Sequence, residues 1–212
     1  MSRPRHDAPV VALDIDGTLG DYHGHFIRFA EQWLGKSLPD PYAVTNGVPL
    51  YTYLHISKRT YRECKLAFRQ GGLKRSMPVY DGAAEAAALI RKLGCQVWIC
   101  TTRPYLRLDN IDPDTRHWLR RNNIQYDGLL FGDHKYRDLK RAAGSRVLLV
   151  VDDLPPMLDQ AMDCGMRTVL RQQPYTEGWY FRANHIITHL KQLPDIFTQE
   201  LENYRGSQLK TL

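Results

Sequence analysis

Two short acidic clusters carry most of the chemical information in this chain. Asp14-Ile15-Asp16-Gly17-Thr18 ends one apolar run, and Asp152-Asp153 ends another. Four carboxylates brought to one place repel one another unless a cation or a shared proton intervenes. Oxygen ligands of this kind and number suit Mg²⁺, which keeps several waters and accepts a substrate phosphate oxygen as a further ligand. A third apolar run ends in Thr101-Thr102-Arg103-Pro104. Hydroxyls and backbone N–H groups there can hold phosphate oxygens, and Arg103 can add charge-assisted bonds. The segment GDHKYRDLK offers Lys135 or Lys140 as a fixed positive charge. A metal, an in-line nucleophile and cationic cover for equatorial oxygens are the parts of a phosphoryl-transfer site.

These residues act together only if the chain gathers them. Five apolar runs read as buried parallel strands: Val10 to Ile15, Gln96 to Thr101, Gly128 to Phe131, Arg146 to Val151, and Arg167 to Leu170. Helical patterns over Asp81 to Leu93, Asp114 to Asn122 and Leu154 to Asp163 alternate with them. Lys135 to Leu139 suits a further helix start. This alternation predicts a doubly wound α/β parallel sheet, in which ligands bind outside the carboxyl ends of the strands. All the acidic and hydroxylic residues above fall at such ends.

Residues 21–77 break the rhythm. They lack a strong strand run, are rich in aromatic and basic residues, and hold two predicted helices, His25 to Leu34 and Lys58 to Arg69. A stretch of that length is too long for an ordinary connection. The expected organisation is an α/β core over 1–20 and 78–197, a small helical insertion over 21–77, and a polar tail over 198–212 that begins as a helix end. Tyr42, Tyr51, Tyr53, Tyr61 and Phe68 are expected to form the insertion's own small core, and His23 and His25 to be solvated.

The remaining sequence properties set bounds. With 43% apolar and 25% charged residues among 212, the composition is that of a globular protein. No apolar run approaches the roughly 20 residues that cross a bilayer, and the N-terminal MSRPRHDAP has no signal-like apolar segment. Cys64, Cys95, Cys100 and Cys164 are dispersed, without metal-ligand spacing. A cytoplasmic protein without structural disulfides is therefore expected. The formal charge of +6 favours anionic partners, without saying which.

The DIDGTL motif after an apolar strand, the strand-ending Thr101, a downstream lysine and the Asp152-Asp153 pair together resemble the haloacid dehalogenase-like phosphatases. The match covers roughly residues 8–20 and 78–172, in order. It implies a haloacid dehalogenase-like core with a helical cap, and Mg²⁺ as cofactor. By that resemblance Asp14 attacks phosphorus and forms an aspartyl-phosphate. Asp16 protonates the leaving oxygen and then activates water, its backbone carbonyl ligating the metal. Gly17 and Thr18 shape the turn beneath the phosphate, and Thr101 binds that phosphate. Asp153 is implied as a metal ligand, with Asp152 orienting the lysine and metal-bound water. Lys135 is preferred over Lys140 as the catalytic lysine.

Two substrate classes follow from finer resemblances. The helical insertion with MPVYDGAAEAAALIRKLG and TTRP is similar to 5'-(deoxy)nucleotidases, which implies a small nucleotide 5'-phosphate. Thr115-Arg116-His117-Trp118 and Gly132-Asp133 resemble the 3'-phosphatase domain of phage polynucleotide kinases. The basic residues Arg116, Arg120, Arg121, Lys135, Arg137, Lys140 and Arg141 would suit a nucleic-acid end. No GxxxxGK[ST] loop is present, so no kinase half is expected. A non-catalytic binding module of the same fold, and transfer to an acceptor other than water, stay open, and the sequence assigns no oligomeric state.

Overall fold

The structure is a computed structural model, describing residues 7–43, 48–104, 106–176 and 182–209. Six strands form one parallel sheet: β1 (Val10–Leu13), β2 (Gln96–Thr101), β3 (Gly128–Phe131), β4 (Val147–Asp152), β5 (Thr168–Arg171) and β6 (His185–Ile187), in the order β3-β2-β1-β4-β5-β6. The chain reverses its direction of winding between β1 and β4. That switch point opens a crevice at the carboxyl edge, where the sequence places its acids.

Side chains alternate across β1, so its apolar run serves two cores. Val11 and Leu13 face α4 (Ala83–Lys92), α5 (Ile111–Arg121) and α8 (Leu193–Leu209), while Val10 and Ala12 face α6 (Lys135–Ala143) and α7 (Pro155–Asp163). Both faces are covered, as a parallel sheet of continuous apolar strands requires.

Between β1 and α4 the described residues hold α1 (Tyr22–Leu34), the single turn α2 (Leu50–Tyr53), α3 (Lys58–Gln70) and short 3-10 turns. Phe26 of α1 meets Phe68 of α3 edge to face, with ring centroids 5.5 Å apart. Such a pair adds about 0.5–1.5 kcal/mol beyond burial. Phe26 and Phe68 belong to the same continuous core as Leu13, Ile15 and Met77, so this segment is packed onto the sheet rather than tethered beside it.

Several elements depart from their expected limits. Helix α1 begins at Tyr22 because the Asp21 carboxylate accepts a 2.9 Å bond from the Gly24 N–H and caps it. Helix α5 begins at Ile111, ahead of Pro113; a proline in the first turn sacrifices no intrahelical bond. Strand β1 stops at Leu13, and the carbonyl of Ile15 then accepts from both Leu19 N–H and Gly20 N–H, closing a tight loop. Strand β6 is an addition to the expected five. Residues 198–209 continue α8, with Leu201 in the core and Glu200 buried against Arg167 and His185. Among the described residues no helix is long and apolar enough to cross a membrane.

Candidate active site

The loop after β1 and the starts of α6 and α7 converge on one buried cluster. Lys135, the first residue of α6, donates from Nζ to Asp14 Oδ1 and to Asp152 Oδ2, each at 2.6 Å, and all three side chains are buried. Asp152 Oδ2 also accepts from the Tyr136 hydroxyl at 2.5 Å, and its Oδ1 from the Leu154 N–H at 2.8 Å. Asp152 thus fixes the lysine and also caps the turn into α7. Lys140 lies further along α6 and is exposed, so the structure brings Lys135, not Lys140, to the acids.

Asp153 turns the other way, accepting from Thr18 Oγ1 at 3.2 Å and from the Tyr175 hydroxyl at 2.5 Å. Gly17 lies directly against this pair with φ +89°. A Cβ there would come within 2.6 Å of both the Asp153 carboxyl carbon and the Tyr175 oxygen, which no side chain can do. Gln173 Nε2 donates to the Gly17 carbonyl at 2.5 Å and pins the turn from β5's side.

Carboxylate oxygens of Asp14, Asp152 and Asp153 lie within 4.8 Å of one another. Among the described residues Lys135 alone of the ammonium and guanidinium groups contacts them, so three carboxylates share one positive charge. Burial first, and then the Asp152 and Asp16 charges, push Asp14 up to about 7 despite Lys135. Burial followed by Asp152 and Asp14 holds Asp153 well above the usual carboxylate range. Two negative charges in excess, on oxygen donors alone, match a hard divalent cation. The side chains of Asp14, Asp152 and Asp153 therefore fit a hard divalent cation, while the Asp16 carboxylate is turned toward Lys74 and Arg103.

A raised carboxyl pKa means that the folded state holds a proton which the unfolded chain has already lost. Metal-free protein should therefore lose stability as pH rises from about 4 to about 7 through the Asp14 titration. Melting in EDTA across that range should show the decline, and Mg²⁺ should flatten it. A pH-independent melting temperature without metal would contradict the charge excess.

Asp16 is clamped between two cations. Arg103 Nη2 donates to its Oδ1 at 2.6 Å, and Lys74 binds Oδ2. Burial would raise this carboxyl, but Arg103 and Lys74 outweigh it and hold it well below the usual range. Arg103, expected to contact phosphate, is buried and also donates to Thr115 Oγ1 at 2.9 Å.

Thr101 sits at the carboxyl end of β2 with a buried hydroxyl that has no partner among the described residues. A buried unsatisfied hydroxyl costs stability, so its retention here points to a ligand. Thr101→Val is expected to leave the melting temperature unchanged or raised while lowering kcat/KM about 10-fold or more. Loss of stability without loss of activity would make this hydroxyl structural.

Over the cluster lies a cavity of about 220 Å³ lined by Asp14, Asp16, Thr102, Arg103 and Asp153 below, and by Tyr22, His23, Tyr61, Lys65, Arg69 and Lys74 from the segment between β1 and α4. His23 is not solvated as expected. Its ring stands 4.3 Å from that of Tyr175, and burial lowers its pKa to about 4. His25 Nε2 donates to the Leu73 carbonyl at 2.9 Å, which also accounts for it within the fold. Of the aromatics, Phe68 is core and Tyr61 lines the cavity, whereas Tyr42 and Tyr53 bond to Asp21 and to the Asp40 carbonyl.

The basic residues expected to form one nucleic-acid track are divided. Arg116, Arg120 and Arg121 ride on α5 over one face of the sheet; Arg137, Lys140 and Arg141 ride on α6 over the other, and Lys135 is buried. Arg116 and Arg141 are further occupied by Asp112 and Asp138.

Sequence reasoning missed Lys74, Tyr136, Gln173 and Tyr175. Lys74 follows Gly71-Gly72, a pair that marks a turn but does not say which neighbouring cation points inward.

A parallel sheet of this order, with acids at two central strand ends and a lysine between them, defines a doubly wound α/β protein with a buried charged cluster at its switch point. No protein-family model matches the chain, and no curated protein matches it by sequence. Solved structures do match. A haloacid dehalogenase-like hydrolase from Streptococcus pneumoniae superposes with a TM-score of 0.59 at 15% identity, covering 91% of this chain and all of that one. CbbY from Rhodobacter sphaeroides, solved in complex with phosphate, gives 0.61 at 18%, covering 88% and 96%. A haloacid dehalogenase-superfamily hydrolase from Geobacter sulfurreducens gives 0.58 at 16%, covering 92% and 99%. The chain has the haloacid dehalogenase-like fold.

Proposed function

We propose that this protein is a Mg²⁺-dependent phosphatase acting on a small phosphomonoester through an aspartyl-phosphate on Asp14, with a nucleotide 5'-phosphate as the first candidate. The observation that carries this reading is the buried Lys135 bridge to Asp14 and Asp152 at the floor of a cavity that Asp16 also faces. Lys135 holds Oδ1 of Asp14, and among the described residues no hydrogen-bond donor contacts Oδ2. That oxygen attacks phosphorus as the ester P–O bond breaks; Asp16, ionised at rest, first takes a proton from solvent once Lys74 and Arg103 have released it, and then gives that proton to the leaving oxygen. Asp16, now a carboxylate, removes a proton from water as the water oxygen attacks phosphorus and the bond to Asp14 breaks. Thr101 and Thr102 lie at the strand end where the transferred group would sit. A divalent cation at Asp14, Asp152 and Asp153 would offset the negative charge of the phosphoryl oxygens.

For the acid step Asp16 must give up Lys74 and Arg103, and an entering phosphate dianion competes for those same two cations. The helices between β1 and α4 act in this proposal as a lid that excludes water and selects the substrate. The small volume of the cavity, about 220 Å³, and the divided basic residues favour a small substrate over a polymer end.

Phosphate release with Mg²⁺ from 5'- and 3'-mononucleotides, sugar phosphates and a 3'-phosphorylated oligonucleotide tests the reading. Turnover of small esters that EDTA abolishes and Mg²⁺ restores is the expected result. Preference for the oligonucleotide would reassign the site to nucleic-acid ends. Binding of Mg²⁺ and phosphate without turnover of any ester would leave a binding module.

A further inference from the structure

The cations of the cavity are not all accounted for by its acids. Lys135 belongs to Asp14 and Asp152, and Lys74 and Arg103 belong to Asp16. Lys65 and Arg69, one turn apart on α3, line the same cavity, and among the described residues neither pairs with a carboxylate. Lys65 Nζ instead lies 5.3 Å from the Tyr61 ring centre and 5.8 Å from that of Tyr22, with a 3.4 Å bond to the Tyr61 hydroxyl. Arg69 carries a buried Nε with no hydrogen-bond partner among the described residues. Burial, and then the neighbouring Arg69, lower the Lys65 pKa to about 8. Two like charges held together in a partly desolvated wall are costly unless an anion joins them.

Resting on the phosphatase reading, we propose that the substrate carries a second anionic group, a carboxylate or a second phosphate, which Lys65 and Arg69 bind while the scissile phosphate lies against Asp14. An aromatic wall of Tyr22 and Tyr61 beside this pair leaves room for the carbon frame that joins the two anions. Arg69 also lines an adjoining cavity of about 470 Å³ with Arg103 and Arg107, beside Asp133 and Asp138, so a longer second arm would meet the further guanidinium of Arg107 there. A guanidinium and an ammonium side by side recognise either anion, and the geometry of the fork favours bidentate contact.

The test uses matched pairs: 2-phosphoglycolate with ethyl phosphate, glucose 1,6-bisphosphate with glucose 6-phosphate, and a nucleoside 3',5'-bisphosphate with its 5'-monophosphate. Binding of each is measured calorimetrically to the Asp14→Asn chain with Mg²⁺, and phosphate release is measured separately with the unaltered chain. At least one doubly anionic member should bind about 30-fold or more tighter than its partner. Lys65→Gln and Arg69→Gln should each cut that preference to about 3-fold or less, with binding of the singly charged partner nearly unchanged, and Arg69→Lys should restore part of it. The carboxylate and phosphate pairs show which anion is preferred. Equal binding within every pair overturns the inference, as does an equal loss for both members on substitution, which would assign these cations to the scissile phosphate. Absence of phosphate release overturns the phosphatase reading alone, because the binding preference is read without turnover.

Discussion

Asp14→Asn is expected to lower phosphate release by about 10⁵-fold, the scale on which loss of a covalent nucleophile falls. The amide keeps the shape of the carboxylate, and its oxygen still accepts from Lys135, so the cluster need not rearrange. It also removes one of the three negative charges that share a single ammonium. The metal-free variant should therefore melt no lower than the parent at neutral pH, and its loss should be in kcat with substrate binding preserved. Acid quenching during turnover should trap radiolabelled phosphate on the parent chain and none on the variant. Activity above about 1% of the parent, or label retained on the variant chain, would move the nucleophile elsewhere.

The second large effect belongs to Lys135. Burial works to strip the proton from this side chain, but Asp14 and Asp152 more than offset it and raise its pKa. A raised lysine pKa contributes stability that is fully present below the ordinary lysine range, neutral pH included, and is lost only as pH rises through the folded value. Lys135→Met should thus cost about 3–5 kcal/mol at pH 7, the usual consequence of leaving buried carboxylates without their counter-charge. Activity should fall by about 10³-fold or more, because Asp14 loses the group that orients it. Adding Asp152→Asn should recover part of the stability and none of the activity. Lys140→Ala, on the exposed side of the same helix, should stay within about 0.5 kcal/mol of the parent. Equal effects of the two lysine substitutions would contradict the geometry.

The contrast between those lysines shows where sequence reading succeeds. Apolar runs long enough to be buried on both faces mark β1, β2, β3, β4 and β5, and polar residues that break such a run at its carboxyl end are conspicuous. Asp14, Thr101, Asp152 and Asp153 stand out for that reason, and Lys135 does so through its position at a helix start. Strand β6 escaped because His185-Ile186-Ile187 is too short to show alternation and lies at the sheet edge, with Ile186 exposed. Polar residues after Thr198 hid the core contact of Leu201, since one buried side in a helix of mixed polarity leaves little periodic signal. Lys74, Gln173 and Tyr175 reach the centre from 3-10 turns and connections, where direction is set by tertiary packing and no repeat announces it. Lys65 and Arg69 were visible as helix residues, but nothing in their spacing distinguished a cavity wall from a solvated face.

The central position of β1 also shapes how the molecule comes into being. Its neighbours are β2 on one side and β4 on the other, and Thr18 meets Asp153 across 135 positions of sequence. At about 5–20 residues per second, ribosomal synthesis separates these partners by on the order of ten seconds. During that interval the first strand has at most one edge satisfied, and its apolar faces must be kept from other chains. Contacts of such long range are also slow to form once both partners exist. Asp14, Lys135 and Asp152 consequently meet late, so nascent chains acquire this buried cluster only after β4 has been made.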